Sequence, residues 1–246
     1  LETETPKVMI ATPRYDDTVI AASYMAKHNA ARNEDHPEED AVDVVFEVGV
    51  KGSLLPYCFN QCLAEALNQR DAGKVTHLAF IHADIACDPG WLNKLWSIAR
   101  RRGDVVVSAV VSIKETARLR TSTAVGRRTD KFGVKRFINT TDRPGMPETF
   151  STRDLMDDDD VVLLVNTGLM LADIRHEFWD SFSFGFDDVI ARDQETGRRV
   201  AQACSEDWRM SRALDAAGVP YAATWAIPTI HTGPSTWCSH DIPAAP

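Results

Sequence analysis

The chain has 246 residues, 44% hydrophobic and 26% charged, with a formal net charge of −9. This composition supports a sizeable core and excludes wholesale disorder. The acidic balance argues against non-specific nucleic-acid or membrane binding as the main role. No apolar run approaches the roughly 18–20 residues that a membrane-spanning helix needs. Leu1–Pro6 is short and polar, unlike a signal peptide. The five cysteines are odd in number and form no CxxC pair, which fits a reducing compartment, and a cytoplasmic location is expected.

In chain order, Lys7–Ala11 reads as a short strand leaving at Thr12-Pro13. Thr18–Ala31 has the pattern of an amphipathic helix, Val42–Phe46 of a strand, and Pro56–Arg70 of a helix with proline near its start. Cys58 and Cys62, four apart, share a helix face and read as core; two thiols alone do not close a zinc shell. His77–Ile81 is a third strand, and Asp88-Pro89 opens a helix that ends at Arg100-Arg101-Arg102-Gly103. Asp104–Val111 is a fourth strand. This alternation predicts an α/β fold with a mostly parallel sheet and helices on both faces. Ligands of such sheets bind beyond the carboxyl ends of the strands, so segments 12–16, 47–53, 82–88 and 112–116 are the ones to watch.

Lys114–Arg153 breaks the pattern. It shows little periodicity and carries ten cations against four acids, a local charge of +6. It reads either as a solvated loop or as a basic flap that meets a polyanion. The following acidic run, Asp157–Asp160, reads as a solvated turn before a strand over Val161–Val165. The chain is expected to be a single domain over 1–246, in which a basic flexible segment (114–160) separates residues 1–113 from residues 161–246.

Familiar phosphate loops, a GxSxG elbow and an HExxH motif are all missing. Three constellations remain. His82-Ala83-Asp84 follows a strand, where an aspartate would suit Mg²⁺ or Mn²⁺, or would serve a turn that caps the next helix. Ser205-Glu206-Asp207-Trp208 opens a helix running to Ala217; the helix dipole favours acids there and is expected to keep them ionised and able to accept a proton. His231 follows an apolar stretch and is either structural or, if it converges with Asp84, a metal ligand.

These residues together resemble glycosyltransferases of the GT-A fold, family 2-like. Ile10-Ala-Thr-Pro-Arg-Tyr15 resembles the first strand and nucleoside loop; Glu47 stands where an acid meets the base; Phe80–Ile85 resembles the DxD segment. Asn166–Leu171 with Phe178–Asp187 resembles the acceptor-side "NGxxLxxR…F…GFDE" stretch, Ser205–Gly218 the "EDxxLxxRxxxxG" helix, and Ile230–Gly233 the carboxyl-terminal metal histidine. Two departures stand out: His82 occupies the first DxD position, and Glu47–Ser53 replaces the usual "DDGSxD".

The resemblance implies a metal-dependent transfer of a sugar, with inversion, from a nucleotide-sugar donor, with a UDP-sugar first in order, to an acceptor hydroxyl. Thr12, Pro13, Arg14, Tyr15, Glu47, His82 and Asp84 would hold the donor, and Asp84 with His231 the metal (Mn²⁺ or Mg²⁺). Asp207, with Glu206, would be catalytic, and Asn166, Thr167, Gly168 and Trp208 would line the acceptor side. The acceptor stays open between a glycan, a small molecule, a protein and a polyanion such as DNA reaching segment 114–153. The alternatives are a non-catalytic nucleotide-sugar-binding protein and a nucleotidyltransferase; the latter lacks its glycine-rich loop here.

Overall fold

A computed structural model describes residues 5–14, 19–31, 41–114, 120–155, 158–232 and, by backbone only, 236–238. In chain order the elements are β1 (Lys7–Arg14), α1 (Ala21–His28), β2 (Asp43–Lys51), α2 (Leu55–Asp71), β3 (His77–Ile81), β4 (Ile85–Cys87), α3 (Trp91–Arg102) and β5 (Val106–Ala109). Then come β6 (Arg120–Arg127), β7 (Val134–Asn139), β8 (Thr149–Phe150), β9 (Val161–Leu164), β10 (Leu169–Asp173), α4 (Phe178–Ser181), β11 (Asp187–Arg192) and β12 (Arg199–Cys204). The last are α5 (Glu206–Ala216), β13 (Tyr221–Thr224), β14 (Thr229–Thr232) and β15 (Thr236–Cys238).

Neighbouring residues of a strand point to opposite faces, and in the central strands both sets are apolar and buried. Met9, Ala11, Leu78 and Phe80 pack on one side with Phe59, Cys62 and Leu63 of α2 and with Met210 and Leu214 of α5. Val8, Ile10, Ala79 and Ile81 pack on the other with Ala26 of α1 and Trp91, Leu92 and Leu95 of α3. Burying each such large side chain contributes roughly 1.5–3 kcal/mol. The result is a mixed α/β protein around a seven-stranded sheet, in the order β2-β1-β3-β10-β5-β13-β8. β1 runs parallel to β2 and β3, and β5 to β13, while β10 and β8 are antiparallel to their neighbours. Cys58 and Cys62 are fully buried in the core, as the sequence suggests.

Several boundaries differ from the sequence reading. β1 extends through Thr12-Pro13-Arg14 because β2 continues beside it to Lys51. Pro13 is tolerated there because the β3 ladder stops at Ala11, opposite Phe80, so its missing N–H costs no bond. α3 starts at Trp91, not Asp88: Ile85–Cys87 is held extended by pairing with β14, and Gly90 turns the chain at φ 74°. Gly90 and Gly103 (φ 72°) are left-handed positions that favour glycine.

The reading of 114–153 as irregular is overturned by β6 and β7, which join β9 in a second sheet of order β7-β6-β9. Register shifts between β6 and β7 break the alternation that would have revealed them. The described part of the acidic run, Asp158–Asp160, is an exposed to half-buried turn before β9, as the sequence suggests, and it also meets cations of this sheet. Lys135 contacts Asp158 at 2.6 Å and Arg127 contacts Asp160 at 3.2 Å. Asp157 lies outside the described residues, as do Tyr15, Thr18, Met156 and Gly233.

Candidate functional site

Pairing of β14 with β4 sets His231 opposite Ile85, and Thr232 N–H donates to the Asp84 carbonyl at 2.8 Å. This register brings two residues far apart in sequence together: His231 Nε2 lies 3.4 Å from Asp84 Oδ2. His231 Nδ1 is 2.7 Å from the Ser112 carbonyl. A carbonyl only accepts, so Nδ1 carries a proton, and the other ring nitrogen, Nε2, faces Asp84. A metal-binding histidine is oriented in the same way, through its other nitrogen. Lys114 Nζ also contacts Asp84 Oδ2. Burial pushes the Asp84 carboxyl up, but hydrogen bonds with His231 and Lys114 outweigh it and hold it well below the usual carboxylate range.

Among the described residues no group of three His, Cys, Asp or Glu side chains surrounds a common point. One carboxylate oxygen and one imidazole nitrogen still fit a hard divalent cation such as Mg²⁺, which takes one or two protein carboxylates and completes its shell with substrate phosphates and water. The donor set is thus compatible with the expected metal and would hold it weakly until a substrate completes the shell.

His82 departs from an aspartate in more than charge. Its ring packs against Phe59 with centroids 5.5 Å apart, and Nε2 lies 3.3 Å from Thr167 Oγ1. Burial lowers its pKa to about 4, so it is neutral at ordinary pH. Its backbone is fixed as well: His82 N–H donates to the Gly168 carbonyl at 2.9 Å, and Ser23 Oγ to the His82 carbonyl at 2.9 Å.

The β9–β10 connection is tightly built. Asn166 Oδ1 accepts from Gly168 N–H at 2.9 Å, and its Nδ2 donates to the Ala109 carbonyl at 2.9 Å. The Asn166 amide is therefore engaged by the backbone on both sides. Gly168 is required by space: a Cβ there would lie 2.6 Å from Ile85 Cδ1. At its other end the connection meets α5, where Val165 N–H donates to Ser211 Oγ at 2.9 Å. A single short segment thus touches His82 and the helix that carries Asp207.

Asp207 is half-buried at the start of α5. Ser205 sits at the N-cap position, but its Oγ donates to Asp207 Oδ1 instead of capping the backbone. Burial, then the neighbouring Glu206 charge, raise the Asp207 pKa to about 7, and burial raises Glu206 as well. The expectation that the helix dipole keeps these acids ionised is corrected here: desolvation outweighs it. Trp208 Nε1 donates to the Ser122 carbonyl at 3.1 Å, and Ser122 N–H donates to the Val111 carbonyl at 2.8 Å. This path ties α5 to the strand end that carries Ser112 and Lys114.

On the donor side, Thr12 Oγ1 is buried without a protein hydrogen-bond partner at the carboxyl end of β1, and so is Arg14 Nε. Glu47 is exposed on β2 and paired with Lys27 at 3.0 Å. Pro13 stands between Thr12 and Arg14 in the strand extension. A cavity of about 760 Å³ is lined by Arg102, Arg128, Ser151, Asp215 and Tyr221 near the amino ends of β5 and β13, and none of these site residues lines it.

Two contributors escaped the sequence reading. Ser112 acts through its carbonyl and leaves no side-chain signal. Lys114 was counted among the cations of the basic segment, although it falls inside the watched stretch 112–116. Cations of that segment pair with acids inside and outside it, with Arg128 on Asp215 at 2.6 Å, Lys131 on Asp187 at 3.5 Å and Arg136 on Asp142 at 3.0 Å.

No family model matches the chain, and no curated protein is similar to it in sequence. Among solved structures the chain is similar to A197 from STIV, with a TM-score of 0.52 and 12% identity, covering 92% of this chain and 86% of that one. That likeness shows a shared α/β fold and leaves activity open. A UDP-glucose pyrophosphorylase complexed with UDP-glucose superposes with a TM-score of 0.42 at 9% identity, covering 89% and 90%, which is too loose to show a shared fold.

Proposed function

We infer that the protein is a nucleotide-sugar-dependent glycosyltransferase of the GT-A type, working with a divalent cation and inverting the anomeric carbon. The observation that carries this reading is the meeting of Asp84 and His231 at 3.4 Å, with His231 Nδ1 tied to the Ser112 carbonyl. Both residues lie where α/β sheets bind ligands, beyond the carboxyl end of a central strand.

A cation held by Asp84 and His231 would supply Lewis-acid stabilisation of a departing diphosphate. The remaining work falls to the chain. Thr12 Oγ1 and Arg14 offer unmet polar atoms to the donor, with Pro13 and Glu47 beside them and Tyr15 next in sequence. His82, neutral and bonded to Thr167, offers no charge to the metal and serves to position the donor side. Asp207, poised near neutrality, takes the proton of the attacking hydroxyl, a role typically worth about 10²–10⁴-fold. Glu206 and Trp208 flank it toward the acceptor. Asn166 and Gly168 act through the shape of the connection and not by touching substrate.

The test is a thermal-shift series of UDP, GDP, dTDP and CMP with and without Mn²⁺, followed by turnover of the matching sugar nucleotide. A UDP response that needs Mn²⁺, with release of UDP on turnover, supports the reading; indifference to all four nucleotides sinks it. His82 in place of an aspartate favours one second reading, a binding protein without turnover. That protein would be stabilised by a nucleotide sugar without metal and would never release the nucleotide.

A further inference from the structure

Two side chains converge on one carboxylate oxygen. Asp84 Oδ2 lies 3.4 Å from His231 Nε2 and contacts the Lys114 ammonium. His231 is held in place by the Ser112 carbonyl through Nδ1, so its ring stays where it is whatever occupies Asp84. The Lys114 ammonium stands directly on the oxygen that a metal would need. Its side chain is about one-third exposed, so it is free to leave without unpacking the core.

We propose that Lys114 is a positioning residue of the metal site: it and a divalent cation are alternative occupants of Asp84 Oδ2, and Lys114 keeps the site closed to metal until a diphosphate arrives to take up the ammonium. This rests on the metal reading of Asp84 and His231. Two cations on one carboxylate oxygen repel, so the first to bind lowers the affinity of the second. An anionic diphosphate relieves this, because Lys is a point-charge phosphate binder. The consequence is ordered occupancy, with metal binding weakly alone and tightly with the nucleotide.

The experiment is a Mn²⁺ titration without nucleotide, read by the EPR signal of free Mn²⁺, on the wild-type chain and on Lys114→Met, Lys114→Arg and Asp84→Asn. Lys114→Met keeps the aliphatic stem and removes the charge; it is expected to bind Mn²⁺ roughly tenfold or more tightly than wild type. Lys114→Arg keeps the charge and stays near wild type, and Asp84→Asn binds most weakly. Equal affinity in Lys114→Met and wild type, with loss in Asp84→Asn, overturns the role of Lys114 and leaves the metal site standing. No Mn²⁺ binding by any of the four chains overturns the metal reading itself and this inference with it.

Discussion

Asp207 links acid–base chemistry to stability. Its pKa is raised to about 7 in the folded chain against an ordinary value near 3.9. A carboxyl raised on folding favours the fold below its unfolded pKa, and that contribution is lost as pH climbs through about 7. Asp207→Asn therefore stabilises the protein, and its melting-temperature gain grows between pH 4 and pH 8. The same substitution lowers transfer by about 10²–10⁴-fold while nucleotide binding is unchanged. Wild-type turnover rises with pH through about 7 as Asp207 ionises, and a flat profile would remove it as the base. At Gly168, alanine forces a Cβ to 2.6 Å from Ile85 Cδ1 and 3.0 Å from Asn166 Oδ1. Gly168→Ala costs about 1–3 kcal/mol by overpacking, measured by urea denaturation.

At the scale of elements, α5 and the β9–β10 connection act as one piece. Ser211 is buried, and its Oγ accepts from Val165 N–H and donates to the Asp207 carbonyl at 3.0 Å. Ser211→Ala leaves a buried N–H unmet and is expected to cost about 1–3 kcal/mol in urea melts. Legibility in the sequence followed burial. The sequence pattern marks β3 residue for residue, and α2 and α5 to within a residue at each end, because each buries a continuous or regularly spaced apolar set. β6 and β7 were missed because the register shifts between them hide the alternation. The β11–β12 hairpin was missed for another reason: its residues are exposed on both faces, so no pattern separates inside from outside. Asp84 and His231 were visible as residue types, but the register of β14 on β4 that joins them was not, nor was Lys114 as their neighbour.

Over the whole molecule, the charge asymmetry of the sequence is largely cancelled by folding. Cations of the 114–153 segment face Asp84, Asp158, Asp160, Asp187 and Asp215, acids drawn from elsewhere in the chain. A phosphate-binding surface gives affinity that falls steeply with salt. Here duplex DNA is expected to show no retention by the protein at about 0.15 M salt, where screening acts over roughly 8 Å. Salt-sensitive retention in a gel-shift titration would restore the basic-flap reading.

The bare hairpin has a consequence for chain continuity. Among the described residues β11 and β12 pair only with each other, and Arg192, Arg198 and Arg199 are exposed in or beside their connection. A brief trypsin treatment should nick the chain there before the sheets yield. The carboxyl-terminal fragment keeps α5 and β13, and β13 sits inside the central sheet between β5 and β8, so the two fragments should co-elute. Asp84 would then belong to one fragment, and Asp207 and His231 to the other. Fragments expressed separately should each be inert, and mixing them should regenerate Mn²⁺ binding and turnover by complementation.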